Sequence, residues 1–296
     1  MNFYNFIILL LFSPFILNAQ KTDMKNYLSF PTPAALHKYF KYRVDAKPII
    51  QGHRGTMENG LPENSIAAFD YVLEHTESIF EIDPRLTKDS IIVVFHDETL
   101  ERTTNGKGKL SDYTWEELQQ LNLKDSDGNL TKYKVPSLAE VLEWARGKTA
   151  LILDKKDVPV QMTANIIQKL NAVSYTIPLV RSTEDAQFYY EDNNEIMLSI
   201  SLRSAQAFQN YLNLGIPPSQ MFIAAGTTIK YKRQKLYNLL NKYKVRYLIA
   251  TASSYDKLKT KNKRAEAYRA IIKDGASMIE SNYPIEVANA LTQMPE

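Results

Sequence analysis

Eight runs of β-forming apolar residues, separated by stretches of helical periodicity, constrain this chain more than any other feature. They are Pro48 to Gln51, Ile79 to Leu86, Ala150 to Asp154, Thr176 to Arg181, Glu195 to Ile200, Met221 to Ala225, Val245 to Thr251 and Ser277 to Ser281. Helical spacing is visible at Asn64 to His75, Ser204 to Leu214, Tyr231 to Tyr243 and Lys263 to Lys273, whereas the fourth and fifth runs lack a long spacer. Parallel neighbours need a crossover of a dozen or more residues, so this alternation predicts an α/β fold, a parallel sheet closed into a (β/α)8 TIM barrel. At 296 residues the chain can hold one such barrel, which takes about 250 residues as a single unit.

One run breaks the alternation. Ile91 to Phe95 follows the second strand after only Thr87 to Ser90, too short a link for a parallel partner, so it must fold back as an antiparallel hairpin. With the turn centred on Lys88 and Asp89, Asp83 pairs near Val94 and Glu81 near His96. Residues two apart share a face, which brings His96 beside the acidic pair Glu81 and Asp83. A long excursion then runs from His96 to Thr149, within which Thr114-x-x-Glu117 and Ser137-x-x-Glu140 are capping boxes starting helices at Trp115 to Leu121 and Leu138 to Arg146. Lys124 to Asn129 reads as a solvated turn, its acid spacing and missing late Glu arguing against a calcium loop. The barrel is therefore expected to carry an inserted segment, about residues 87–135, between strand two and its helix.

The ends read differently. Phe6 to Leu17 is apolar but shorter than the roughly 20 residues that span a bilayer, and Leu17-Asn18-Ala19 offers a small-residue cleavage site. Residues 1–19 are expected to be a secretory signal, the mature chain periplasmic or secreted without stable membrane insertion. An uncleaved anchor is the alternative, because Met1 to Asn5 contain no Lys or Arg. Residues 20–47 form a lead-in with a helix at Ala34 to Tyr42, a strap over the barrel bottom, and residues 48–296 the barrel domain. Cysteine is absent, which excludes disulfides and thiolate metal ligands. A net charge of +3 with dispersed charges lacks the basic stripe duplex nucleic acid requires, so no nucleic-acid partner is expected.

A barrel gathers the C-terminal ends of its strands around one mouth, and His53, Arg54, Glu81, Asp83 and Asp154 all fall at such ends. Hard divalent cations take carboxylate oxygens, so Glu81, Asp83 and Asp154 are candidate ligands for Ca2+ or Mg2+; the plainer alternative is that they cap helices or pair with Lys155 and Arg85. Of four histidines, His37 and His75 lie on helical patterns that packing explains, while His53 and His96 end strands and suit general acid and base. Arg54 and Lys156 supply charge suited to phosphate, Lys156 sharing a face with Asp154 while Lys155 points away. Pro62-Glu63-Asn64-Ser65 opens a helix with Asn64 as cap and Glu63 within reach of the site. Leu100 to Gly108, glycine-containing and basic, is a candidate lid.

Taken together, His53-Arg54-Gly55, Pro62-Glu63-Asn64, Glu81-Ile82-Asp83, Leu86-Thr87-Lys88-Asp89, Val94-Phe95-His96-Asp97, Leu100-x-Arg102-Thr103-Thr104, Val135-Pro136-Ser137-Leu138 and Ile279-x-Ser281-Asn282-Tyr283-Pro284 resemble the glycerophosphodiester phosphodiesterase family, in order, from about Ile50 to Pro284. The resemblance implies a TIM barrel with an extra segment after strand two. It further implies His53 and His96 as acid and base, Glu81 and Asp83 as metal ligands, and Arg54 on the phosphate of a glycerophosphodiester, a small molecule split to glycerol phosphate and an alcohol. The family's Glu-x-Lys on strand three is here Asp154-Lys155-Lys156, one methylene shorter. At strand eight the family's apolar residue and Thr-Asp pair are replaced by Glu280-Ser281-Asn282. Glu280 is expected either to line the mouth, supplementing the metal shell or binding substrate, or to form a rim salt bridge. Two other functions stay open: phospholipase-D-like or lyase action on lysolipids, which requires an apolar rim, and a non-catalytic ligand-binding barrel, suggested by Asp154 and Asn282.

Overall fold

The computed structural model describes residues 26–293; the stretch 1–19 expected as a signal, the first residues of the lead-in and the last three of the chain lie outside them. Eight parallel strands close into a barrel: β1 (Ile49–His53), β2 (Ile79–Ile82), β5 (Leu151–Leu153), β6 (Thr176–Val180), β7 (Leu198–Ser201), β8 (Met221–Ala224), β9 (Tyr247–Ala250) and β10 (Met278–Ser281), with β10 returning to pair with β1. Each expected run thus overlaps a barrel strand, β1 and β7 continuing past theirs to His53 and Ser201. The crossovers are α2 (Ile66–His75), α4 (Leu138–Ala145), α5 (Val160–Lys169), α6 (Thr183–Asp192), α7 (Ala205–Leu212), α8 (Gln234–Lys242) and α9 (Lys261–Lys273), with α10 (Pro284–Thr292) behind β10. The link between the fourth and fifth strands does hold a helix. α6 is capped by the Ser182 hydroxyl, which accepts from the Asp185 amide, and carries Glu184 and Asp185 in its first turn, favourable charges at the positive end of a helix. It buries only Ala186 and Tyr189, which is why its periodicity was faint, and β7 begins three residues later than the apolar run suggested.

The second run is two strands. β2 ends at Ile82, and β3 (Pro84–Leu86) leaves the barrel to pair antiparallel with β4 (Ile92–Val94). The register sets Pro84 opposite Val94 and Leu86 opposite Ile92, one residue from the expected pairing of Asp83 with Val94. The loop has three residues, Lys88 to Ser90, with Ser90 left-handed at φ 62° and the Thr87 amide donating to Ile91 O at 3.0 Å. An odd-length turn shifts the partner by one, so Asp83 faces Phe95, whose amide donates to Asp83 O at 2.8 Å.

Beyond the hairpin, Val93, Phe95, Leu100, Leu110, Leu118, Leu123 and Val135 form a second apolar cluster apart from the barrel core. Both capping boxes are present, at α3 (Trp115–Leu118) and α4, although α3 is a single turn and stops short of Leu121. Lys124 to Asn129 is a turn closed on the Asp125 carboxylate by the amides of Asp127 and Asn129.

At the opposite end, α1 (Pro33–Phe40) crosses the strand starts. Leu36 and Phe40 are buried, Phe40 stacks on Phe222 with ring centroids 5.1 Å apart, and Lys41 bridges to Val245. Truncating a fully buried aromatic costs about 3–5 kcal/mol. Phe40→Ala is therefore expected to lower unfolding free energy by about that amount in urea titrations; a loss below about 1 kcal/mol would mean that α1 is not cooperative with the barrel.

Candidate active site

β1 runs into a turn that its residues make tight. A Cβ on Gly52 would lie 2.4 Å from Gly55 O and 2.8 Å from the Phe80 ring, so only glycine lets the chain close there. Arg54 is left-handed at φ 57°, an unfavourable conformation for a side-chain-bearing residue. It is held by two backbone bonds, Arg54 N to Glu81 O at 3.0 Å and Asn64 N to Arg54 O at 2.8 Å. The turn delivers His53 and Arg54 to the mouth from consecutive positions.

His53 Nδ1 is 2.7 Å from Asn282 Oδ1. An amide oxygen only accepts, so Nδ1 carries the proton and the Nε2 lone pair is left open. Asn282 is itself anchored: its amide donates to Asp256 Oδ2 at 2.7 Å, and its carbonyl accepts from Met57 N at 3.0 Å. The buried Asp256 carboxylate also accepts from Thr251, Tyr268 and Ser281 hydroxyls. Asp256 is thus a positioning residue for the His53 partner, unremarked in the sequence because a lone acid in a polar loop has no pattern.

His96 faces a different partner. Its Nδ1 lies 2.7 Å from Asp97 Oδ1, and its carbonyl accepts from Arg85 Nε at 2.8 Å. Arg102 donates to both Asp97 oxygens and, through Nη1 and Nη2, to both Glu63 oxygens at 2.8 Å. Glu63 in turn pairs with Arg54 at 3.1 Å, and Arg54 Nε with Asp83 at 3.2 Å. An unbroken chain of ion pairs therefore ties His96 to the acidic centre. The segment Leu100 to Gly108 that supplies Arg102 is not a lid: Leu100 and Thr104 are fully buried, and Gly108 N donates to Glu101.

Asp83 is the hub. Its side chain is fully buried, with Asn64 Nδ2 at 2.7 Å and Arg54 Nε at 3.2 Å from Oδ2, and Lys156 Nζ at 2.7 Å from Oδ1. Asn64, expected as the helix cap, instead turns its side chain into the site, and Ser65 caps α2 through the Ala68 amide. Asp154 binds Lys156 and Arg181, each at 2.7 Å. The alternative of pairing with Arg85 and Lys155 does not occur; those two meet Asp157 and Asp185. Burial opposes ionisation of Asp83 most strongly, but Arg54 and Lys156 outweigh it and hold its carboxyl below the usual range. Asp154 behaves likewise, burial being outweighed by Arg181 and Lys156.

Glu81 has no such help. It is buried and its Oε2 has no hydrogen-bond partner. Burial first, then the charges of Asp83, Glu280 and Asp154, push its carboxyl well above the ordinary glutamate range. Glu280 sits opposite Gln51 in the β1–β10 register, accepts from Gln51 Nε2, and is raised by burial with His53 and Gln51 opposing. It forms no ion pair among the described residues, so the rim salt bridge is excluded.

Glu81, Asp83 and Asp154 each offer an oxygen within 4.8 Å of the others. An orphaned buried carboxylate oxygen beside two ionised carboxylates, with the Lys156 ammonium lodged between those two, fits a site that a cation completes. Asp154, shorter than glutamate, still reaches the cluster.

The sequence profile described as the glycerophosphoryl diester phosphodiesterase family matches residues 53–264. A crystal structure of a glycerophosphoryl diester phosphodiesterase from Parabacteroides distasonis is 47% identical with a TM-score of 0.89, covering 91% of this chain and 95% of that one. Bacillus subtilis YhdW is 35% identical over 163 residues, 54% of this chain and 60% of its own. The glycerophosphodiester phosphodiesterase of Caldanaerobacter subterraneus is 41% identical over 107 residues, 36% of this chain and 44% of its own. The chain thus spans about half the length of these two relatives.

Folding raises the Glu81 pKa above its unfolded value of about 4.5, so the folded chain keeps a proton that the unfolded chain releases. Stability from this group is fully present below that value and is lost as pH climbs through the folded pKa. Metal-free Glu81→Gln is expected to melt higher than the unsubstituted protein at pH 8, with the gap closing toward pH 4, in calorimetry with chelator. A gap that widens on acidification would reverse the assignment.

Proposed function

Because the chain belongs to the glycerophosphoryl diester phosphodiesterase family, we propose that it is an enzyme hydrolysing glycerophosphodiesters to glycerol phosphate and an alcohol. The observation that carries this reading is the acidic triad Glu81, Asp83 and Asp154 at a barrel mouth that also holds two histidines, His96 tied to Asp83 by a chain of ion pairs and His53 held by Asn282. A divalent cation, Ca2+ or Mg2+, held by these three residues would supply Lewis-acid stabilisation of charge on the phosphoryl oxygens.

The remaining chemistry belongs to side chains. Arg54 and Lys156 orient and neutralise the phosphate, Arg54 by its planar fork and Lys156 as a point charge. His53, with Nδ1 donating to Asn282 and Nε2 open, takes the proton from the attacking hydroxyl. With its Nδ1 held by the Asp97 carboxylate, His96 gives a proton from Nε2 to the departing alcohol oxygen. When the neighbouring glycerol hydroxyl attacks first, a cyclic phosphate forms. Water then opens it with the two histidines in exchanged roles, His96 accepting the water proton and His53 returning its own to the ring oxygen.

Action on lysolipids requires an apolar rim. Among the described residues the exposed large apolar ones are Val44, Ile91, Leu130, Tyr231 and Tyr243, drawn from five separate segments, which does not favour it. No helix among the described residues is long and apolar enough to cross a membrane. The apolar leader at residues 1–19 supports a secreted or periplasmic location for the mature chain.

The test is glycerol phosphate release from glycerophosphocholine and glycerophosphoglycerol, with chelator and with Ca2+ or Mg2+ restored. Release should stop with chelator and return with the ion. His53→Ala and His96→Ala should each lower kcat by about 10²–10⁴. Chelator-insensitive turnover would remove the metal from the reading, and inertness toward both substrates would remove the activity.

A further inference from the structure

The mouth is lopsided in charge. From residue 196 to residue 255 the chain contains no Asp or Glu but eight Lys and Arg, although the whole molecule is only +3. That stretch builds β7, β8 and β9 and the loops above them. Four successive barrel strands, β5 to β8, are each followed at the mouth by a cation: Lys156, Arg181, Arg203 and Arg233. The first two are paired with acids, Lys156 with Asp83 and Asp154 and Arg181 with Asp154. Arg203 and Arg233 take part in none of the ion pairs among the described residues.

These two guanidinium groups are nonetheless held close together. Arg203 Nη1 donates to Ala224 O at 2.6 Å and Leu202 O at 2.9 Å, and Arg233 Nη1 donates to Ala225 O at 2.5 Å. Each fork is thus anchored by one nitrogen to the end of β7 or β8, while Nε and Nη2 have no protein partner among the described residues. A Cβ on Gly226, which sits at φ +126°, would lie 2.5 Å from Arg233 Nη1 and 3.4 Å from Arg203 Nε. Only glycine admits both forks at that point. Burial first, then the nearby charges of Arg233 and Arg181, depress the Arg203 pKa. Backbone carbonyls occupy only one nitrogen of each fork, whereas a phosphate can accept from two forks at once.

We propose that Arg203 and Arg233 form a head-group subsite for a second phosphate, so that the preferred substrates are glycerophosphodiesters whose alcohol carries a further phosphate group. This rests on the phosphodiesterase reading and names its substrate class. A diester centred on Glu81, Asp83 and Asp154 whose alcohol extends past β6 runs toward the ends of β7 and β8, where the two open forks stand.

The experiment compares kcat/KM, per phosphodiester bond, for bis(glycerophospho)glycerol and glycerophosphoglycerol, which differ by one glycerophosphoryl unit and hence by one phosphate charge. The unsubstituted protein should favour the former by about tenfold or more, as charge-assisted hydrogen bonds to one anionic group provide. The preference should fall toward unity in Arg203→Gln/Arg233→Gln and persist in large part in Arg203→Lys/Arg233→Lys. It should also shrink in the unsubstituted protein as ionic strength rises from about 0.05 to about 0.5 M, a readout independent of whether any variant folds. Equal use of the two diesters, a preference untouched by the Gln pair, or one indifferent to salt overturns the subsite and leaves the phosphodiesterase reading standing. Hydrolysis of neither overturns both.

Discussion

Asp83 stands where the barrel stops and the hairpin begins, and the arrangement of the mouth follows from how its charge is satisfied. A fully buried carboxylate is tolerable only with several donors around it. Three segments distant in sequence supply them: Arg54 from the turn after β1, Asn64 from the start of α2, and Lys156 from beyond β5. Meanwhile the Asp83 carbonyl accepts the Phe95 amide, which pins the returning arm of the hairpin just ahead of His96. One residue therefore fixes both the acidic centre and the approach of the second imidazole. Breaking a buried pair of this kind by removing one partner costs about 3–5 kcal/mol.

The inserted segment makes sense as a device for delivering His96. By folding back on β3 and building a separate apolar cluster around Val93, Phe95 and Leu100, the insertion holds Asp97 and Arg102 rigidly enough to form the ion-pair chain to Glu63 and Arg54. The two histidines consequently differ: one faces an amide oxygen and the other a carboxylate. That difference, rather than their shared position at strand ends, separates base from acid in the proposed reaction.

Electrostatic asymmetry extends across the mouth. Acids collect on β2, β5 and β10, where three of the four have buried surroundings and Glu81 is left without a donor for one oxygen. Cations beyond β6 lose their counter-charges as the acid-free stretch begins. A dianionic or larger phosphate-bearing molecule is the chemistry that balances both halves, a cation on one side and the open arginine forks on the other.

Much of this was legible in the residues themselves. Strand and helix alternation specifies the barrel because hydrophobic periodicity is a local property that survives any folding context. The four-residue link at Thr87 forces a hairpin for reasons of chain geometry alone, and both capping boxes declare their helices. The acidic pair, the two histidines, Arg54 and Lys156 stand out because their spacing is short. What remained hidden depends on contacts between segments far apart. The hairpin register moved by one because a three-residue turn with Ser90 left-handed won over a two-residue one. Asn64 looks like a cap until Asp83 is placed beside it. Asp256, Gln51 and Arg203 carry no local pattern, since a side chain becomes a donor, an anchor or an unpaired charge only when barrel closure decides what stands across from it. Local order along the chain determined which elements form and which chemistry they bring; burial and long-range pairing decided which charges are neutralised, which are left over, and hence where the molecule meets its ligand.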